Sequence, residues 1–97
     1  MNVARHVVFR GRVQGVGFRA FVEDEAVRAG LEGWVRNRRA GTVEAVLSGE
    51  AAAIDAVIET CRRGPPSSRV ERVDQRDASA DELKLSGSGG FTVLPTV

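Results

Sequence analysis

Residues 5–13 alternate, with Val7, Phe9, Gly11 and Val13 on one side and His6, Val8, Arg10 and Arg12 on the other, and at Gln14-Gly15-Val16-Gly17 that pattern stops. Beyond it, Phe18, Phe21, Val22, Ala26 and Ala29 recur at helical spacing, with Glu23, Asp24, Glu25 and Arg28 opposite. A switch from a period of two to one of about 3.6 predicts a half-buried strand, a tight turn and an amphipathic helix in immediate succession. The junction is the strongest constraint on the fold, because the buried face of the strand and the buried stripe of the helix must share one core.

The helix is expected to end at Gly30. Residues 34–38 and 42–48 are strand-like runs joined through Arg39-Ala40-Gly41, which predicts a hairpin. Ile54, Val57, Ile58 and Cys61 fall at i, i+3, i+4 and i+7 with Asp55, Glu59, Arg62 and Arg63 turned outward, a second amphipathic helix that Gly64-Pro65-Pro66 stops. Residues 69–76 carry Val70 and Val73, and this odd spacing predicts a bulged or irregular edge strand. The polar stretch 77–90 reads as a mobile connection, and residues 91–94 as a short closing strand. This order predicts an α+β, ferredoxin-like α/β sandwich, βαββαβ plus a short C-terminal strand, with an antiparallel sheet and two helices on one face. That architecture hosts unrelated functions, so function must be argued from a site.

Composition narrows the field. A chain of 97 residues is expected to form a single domain spanning residues 1–97, and 42% hydrophobic residues suffice for a core. The 14 basic and 13 acidic residues leave a net charge of +1, too balanced to point to nucleic acid or an anionic membrane. The distribution is uneven: residues 1–49 hold 8 arginines against 5 acids, and residues 50–97 hold 6 basic residues against 8 acids. One cysteine, Cys61, cannot form an internal disulfide, and with neither a signal-peptide pattern nor an 18-residue apolar run the expectation is a cytoplasmic chain. His6 and Cys61 stand 55 positions apart and make no metal cluster. His6 reads as a surface or edge residue without a partner, Cys61 as core, and Arg36, Arg38 and Arg39 as a solvated hairpin tip. An RNA-binding sheet would need exposed aromatics, which 4 Phe, 1 Trp and no Tyr scarcely leave over once a core is built.

The turn carries the chemistry. Glycines at 15 and 17 let backbone N–H groups face inward at a helix N-terminus, where the dipole favours an anion, and Arg19 adds a guanidinium able to bind two phosphate oxygens. Read from the residues alone, this is either a phosphate cradle or simply a tight turn followed by a solvated arginine. Gly15-x-Gly17-x-x-Ala20 also imitates a dinucleotide fingerprint, but that motif belongs to a parallel doubly wound sheet that a short chain with a hairpin does not build.

Gly11-Arg12-Val13-Gln14-Gly15-Val16-Gly17-Phe18-Arg19, followed by Gly33-Trp34-Val35-Arg36-Asn37, resembles the signature of the acylphosphatase family. The likeness continues through Gly41-Thr42-Val43-Glu44, Gly64-Pro65-Pro66 and Arg69-Val70 and so covers most of the chain. Ala40, where the family commonly has an acid, and Ser67-Ser68 depart from the pattern in turns. The resemblance implies hydrolysis of acyl phosphates to a carboxylate and inorganic phosphate, with no metal and no organic cofactor. It implies Arg19 and Asn37 as catalytic residues, with the backbone amides of Gln14, Gly15, Val16, Gly17 and Phe18 binding the phosphate. The partners it implies are a small acyl phosphate and inorganic phosphate as product and competitive inhibitor, with a monomeric chain and neither nucleic acid nor membrane. The alternative is a non-catalytic module that binds phosphate or carbamoyl phosphate.

Overall fold

A computed structural model describes residues 1–87 and 89–97. The change of period in the sequence is the junction between strand β1 (Asn2–Arg12) and helix α1 (Phe18–Arg28). There follow β2 (Glu32–Asn37), β3 (Val43–Glu50), α2 (Ala51–Arg63), β4 (Arg69–Asp77), α3 (Ala80–Lys84) and β5 (Phe91–Val93). The sheet has five strands in the order β4-β1-β3-β2-β5, so β1 is interior and the first helix starts from its C-terminal end.

Strand alternation sorts side chains to two faces. Pairing places Val73, Phe9, Val43 and Asn37 in one row across four strands, with Val7, Ala45 and Val35 in the next. These rows face the long helices, and Phe18, Val22 and Ala26 of α1 and Ile54, Val57, Ile58 and Cys61 of α2 complete the core. Phe18 meets Phe9 edge to face with ring centroids 5.1 Å apart. Each buried aliphatic side chain contributes about 1.5–3 kcal/mol relative to exposure. Burial, and then the charge of Glu25, push the Cys61 thiol up to about 12, so it stays protonated and acts as a small apolar core residue. The irregularity expected near Val70 and Val73 is a register shift opposite Arg10 and Gly11.

The sheet departs from the expected antiparallel form at one edge: β5 pairs parallel with β2, Gly33 with Phe91, Trp34 with Thr92 and Val35 with Val93. Strand β4 runs antiparallel to β1, so a chain that reverses after β4 and crosses the sheet enters beside β2 in the same direction as β2. The crossing segment is not the featureless connection expected of residues 77–90. It contains α3, whose first turn is closed by a reciprocal capping box between Ser79 and Glu82, a pattern legible as Ser-x-x-Glu. Within that stretch, Ser88 lies outside the described residues. Trp34 Nε1 donates to the Glu82 carbonyl at 2.7 Å, which seats α3 on the sheet face away from the long helices.

The same face corrects two further expectations. His6 is buried, 7% exposed, and its Nε2 lies 2.7 Å from Glu44 Oε2, because β1 is an interior strand and β3 brings Glu44 beside it. Arg36 and Arg38 are not simply solvated: Arg36 Nε donates to Glu44 Oε1 at 2.7 Å and Arg38 Nη1 to the same oxygen at 3.3 Å. The Arg36 guanidinium also lies 4.7 Å from the centre of the Trp34 ring.

Candidate active site

Strand β1 runs into Val13, which is buried, and the next residues turn across the start of α1. Gly15 and Gly17 have φ of 74° and 78°, a region that costs a residue with a Cβ about 1–2 kcal/mol. No atom lies within 4 Å of where a Cβ would stand on either, so backbone conformation demands these glycines rather than crowding. Gly17 is the N-cap of α1 and brings no capping side chain, and no acid occupies the first turn. The N–H groups of Phe18, Arg19 and Ala20 therefore lack intrahelical acceptors and sit at the positive end of the helix dipole.

A pocket of about 330 Å³ lies here, lined by Val13, Gln14, Gly15, Gly17, Phe18, Arg19, Ala20 and Asn37. Arg19 is half-buried and makes no ion pair among the described residues. Asn37 is the last residue of β2, in register with Val43 and so on the helix side of the sheet. Its Oδ1 is buried and has no hydrogen-bond partner among the described residues. A buried acceptor without a donor is costly, about 1–3 kcal/mol, which suits a wall that a water or ligand completes.

The surroundings hold this wall in place. Gln14 Nε2 donates to the carbonyls of Arg38 and Thr42 at 2.7 and 2.8 Å. Beyond β5 the chain continues along β2, where Val97 N donates to the Asn37 carbonyl at 3.4 Å and the Val97 carbonyl accepts from Arg39 N at 2.8 Å. Ser68 Oγ and N both donate to the Pro65 carbonyl, so the departure at Ser67-Ser68 closes its own turn, and neither serine lines the pocket. A second hollow of about 360 Å³ between α1 and α2 is a lesser candidate, because its charged wall residues, Arg28 and Glu25, pair with each other at 3.5 Å. Among the described residues no group of three or more His, Cys, Asp or Glu side chains is placed to hold a metal ion, and no helix is long and apolar enough to cross a membrane.

One pocket thus has backbone donors at a helix start, a guanidinium without a carboxylate partner among the described residues and an amide oxygen without a donor among them, groups whose chemistry suits an oxyanion. A family model, Acylphosphatase, matches residues 5–92. The chain belongs to the acylphosphatase family. It is 52% identical over 97 residues to an acylphosphatase of Rhodopseudomonas palustris, covering 99% of this chain and 98% of that one. The crystal structure of the acylphosphatase from Bacillus subtilis superposes with a TM-score of 0.83 at 35% identity, covering 97% of this chain and 99% of that one. Full-length HypF in a phosphate- and nucleotide-bound form matches with a TM-score of 0.82 at 31% identity, over 99% of this chain and 12% of that one. Membership makes this chain an enzyme of acyl phosphate hydrolysis.

For an acylphosphatase, the residues singled out from the sequence are well gathered. Arg19, Asn37, Gln14, Gly15, Gly17 and Phe18 line one pocket. Val16 does not line it, and its side chain packs against the core. Ala20 lines it and was missed, although a third first-turn N–H beside Arg19 follows from any helix starting at Phe18. Glu44 was missed as well; alternation along β2 and β3 puts Arg36 and Glu44 on one face, but only the pairing register brings them opposite each other.

Proposed function

We propose that the phosphoryl group of an acyl phosphate is held by Arg19 and the backbone amides of Gln14, Gly15, Val16, Gly17, Phe18 and Arg19, and that Asn37 orients the attacking water. The observation that carries this reading is the buried, unpartnered Asn37 Oδ1 on the wall of the pocket that Arg19 also lines. A water that donates to Oδ1 keeps its lone pair free for phosphorus. Attack forms the new P–O bond as the bond to the carboxylate oxygen breaks, and the water's proton passes to a phosphoryl oxygen, leaving a carboxylate and inorganic phosphate. The leaving group is the conjugate base of an acid with a pKa of about 4, so it departs without a general acid. Charge stabilisation and positioning carry the rest of the barrier, work suited to a guanidinium and fixed N–H dipoles. The reaction invokes no metal and no organic cofactor.

The chain acts in this reading as a monomeric single domain of residues 1–97, with phosphate a competitive inhibitor because product and substrate share the cradle. The buried, lone Cys61 fits a reducing, cytoplasmic setting. Release of phosphate from acetyl phosphate by the unaltered chain, Arg19→Ala and Asn37→Ala tests it. Each change is expected to lower kcat by about 100-fold or more, the scale of losing one preorganised oxyanion donor. Turnover near that of the unaltered chain in both variants would refute the assignment, and a chelator is expected to leave the rate unchanged.

A further inference from the structure

The Gln14 side chain leaves the turn at the end of β1 and reaches the hairpin between β2 and β3. An amide NH₂ has two N–H donors, and the Nε2 of Gln14 meets the Arg38 carbonyl at 2.7 Å and the Thr42 carbonyl at 2.8 Å. Those carbonyls stand at the two ends of the hairpin turn, where Arg38 N also donates to the Thr42 carbonyl at 2.9 Å. Arg38 follows Asn37 directly, and Thr42 precedes Val43, the cross-strand partner of Asn37. Two bonds from one side chain therefore grip both arms of the hairpin just beyond the Asn37 and Val43 pair. The β1–β3 ladder ends at the Phe9 and Val43 pair, so beyond that point strand pairing no longer ties the glycine turn to the hairpin.

We propose that Gln14 is a positioning residue for hydrolysis, its two side-chain bonds setting the separation between the phosphate cradle and the Asn37 amide. This inference rests on the reading of the cradle and Asn37 given above. The cradle is built from the backbone of the turn and the first turn of α1, which stay in place without the Gln14 amide. The hairpin keeps its own bonds, Arg38 N to the Thr42 carbonyl and Gly41 N to the Arg38 carbonyl at 2.9 Å each, but among the described residues no other side-chain hydrogen bond ties it to the turn, so without the two Gln14 donors the hairpin end and Asn37 shift relative to the cradle. A displacement of about 1 Å at a reacting group costs up to about 100-fold in rate. Gln14 thus acts on the rate of the chemical step and not on the capture of phosphate.

The test replaces Gln14 by Leu and by Met, both of which remove the two donors without adding charge, Met with an unbranched side chain of similar length. Acetyl phosphate hydrolysis and inhibition by inorganic phosphate are measured for each, alone and combined with Asn37→Ala. For the single variants kcat is expected to fall about 10- to 100-fold while the inhibition constant of phosphate changes less than about threefold. With Asn37→Ala already made, adding Gln14→Leu is expected to cost less than about twofold, because residues acting through one group are not additive. Unchanged kcat in the Gln14 variants, a parallel loss of phosphate binding, or the same fold-loss in both backgrounds overturns the proposal. Should Gln14→Leu not fold, Gln14→Met decides by the same measurements. If Asn37→Ala collapses turnover and the Gln14 variants do not, this inference alone fails. If Asn37→Ala turns over normally, the reading of Asn37 fails first and this inference falls with it.

Discussion

Glu44 accepts hydrogen bonds from His6 and Arg36 at 2.7 Å each and from Arg38 at 3.3 Å, on the face of the sheet away from the long helices. Burial alone would push its carboxyl up, but the hydrogen bonds from His6 and Arg36 and the Arg36 charge outweigh burial and hold it below the ordinary 4.5. Glu82 is held at about 2 by its bonds from Arg76 and then by the Ser79 backbone N–H. A carboxyl depressed by folding contributes stability that is complete above its ordinary value and is lost as pH falls toward its folded value. Stability is therefore expected to be flat above about pH 5 and to decline steadily below it. Glu44→Ala should cost about 2 kcal/mol near neutrality, since it strands partly buried donors, and the difference from the unaltered chain should shrink as pH falls below the ordinary carboxyl value of 4.5. Urea unfolding across that range measures it, and a pH-independent difference would contradict the account. None of this was legible at His6, whose partner lies 38 residues away and becomes a neighbour only through the pairing of β1 with β3.

Helix α3 has five residues, far too few to be stable alone, so it persists through its capping box and its seat on Trp34. Its start was readable as Ser79-x-x-Glu82, yet a polar composition argued for mobility, and the seat itself could not be foreseen because Trp34 belongs to a distant strand. Ser79→Ala should cost about 1 kcal/mol, the usual worth of an N-cap, and loosen α3 from the indole. Trp34 is the one tryptophan of the chain, so its fluorescence reports this directly. A red-shifted, more readily quenched emission is expected with kcat unchanged, because α3 and the pocket lined by Arg19 and Asn37 lie on opposite faces of the sheet. A changed kcat would show that the two faces are coupled.

Across the whole molecule the charges are segregated by partnership as well as by sequence half. Arg12, Arg19, Arg39, Arg63 and Arg69 have no carboxylate within salt-bridge distance among the described residues. They stand at the end of β1, the start of α1, the β2–β3 turn, the end of α2 and the start of β4, all at the end of the sheet that holds the pocket. Arg12 and Arg69 even face each other as cross-strand partners, an arrangement that costs stability and concentrates positive potential. An anionic substrate is steered toward such an end, so kcat/KM should fall about threefold or more as ionic strength rises from about 0.01 to 0.5 M, with kcat nearly constant. Steady-state kinetics in sodium chloride checks it, and a salt-independent kcat/KM would rule steering out. The edge strand β4 gains separately from its charges, since Arg69, Glu71 and Arg72 discourage pairing with other chains.

Local pattern alone determined the order of the elements apart from α3, the glycine turn at a helix start and the place of Arg19 on it, because periodicity and positive φ are properties of neighbouring residues. The two motif blocks containing Arg19 and Asn37 were also readable in sequence, but not the pocket that joins them. The tertiary structure decided that β5 lies parallel to β2, that His6, Arg36 and Arg38 share Glu44, and that Gln14 spans the turn and the hairpin. Those features depend on which strands pair and in what register, and register is settled by burying the whole core at once, a condition that no single segment carries.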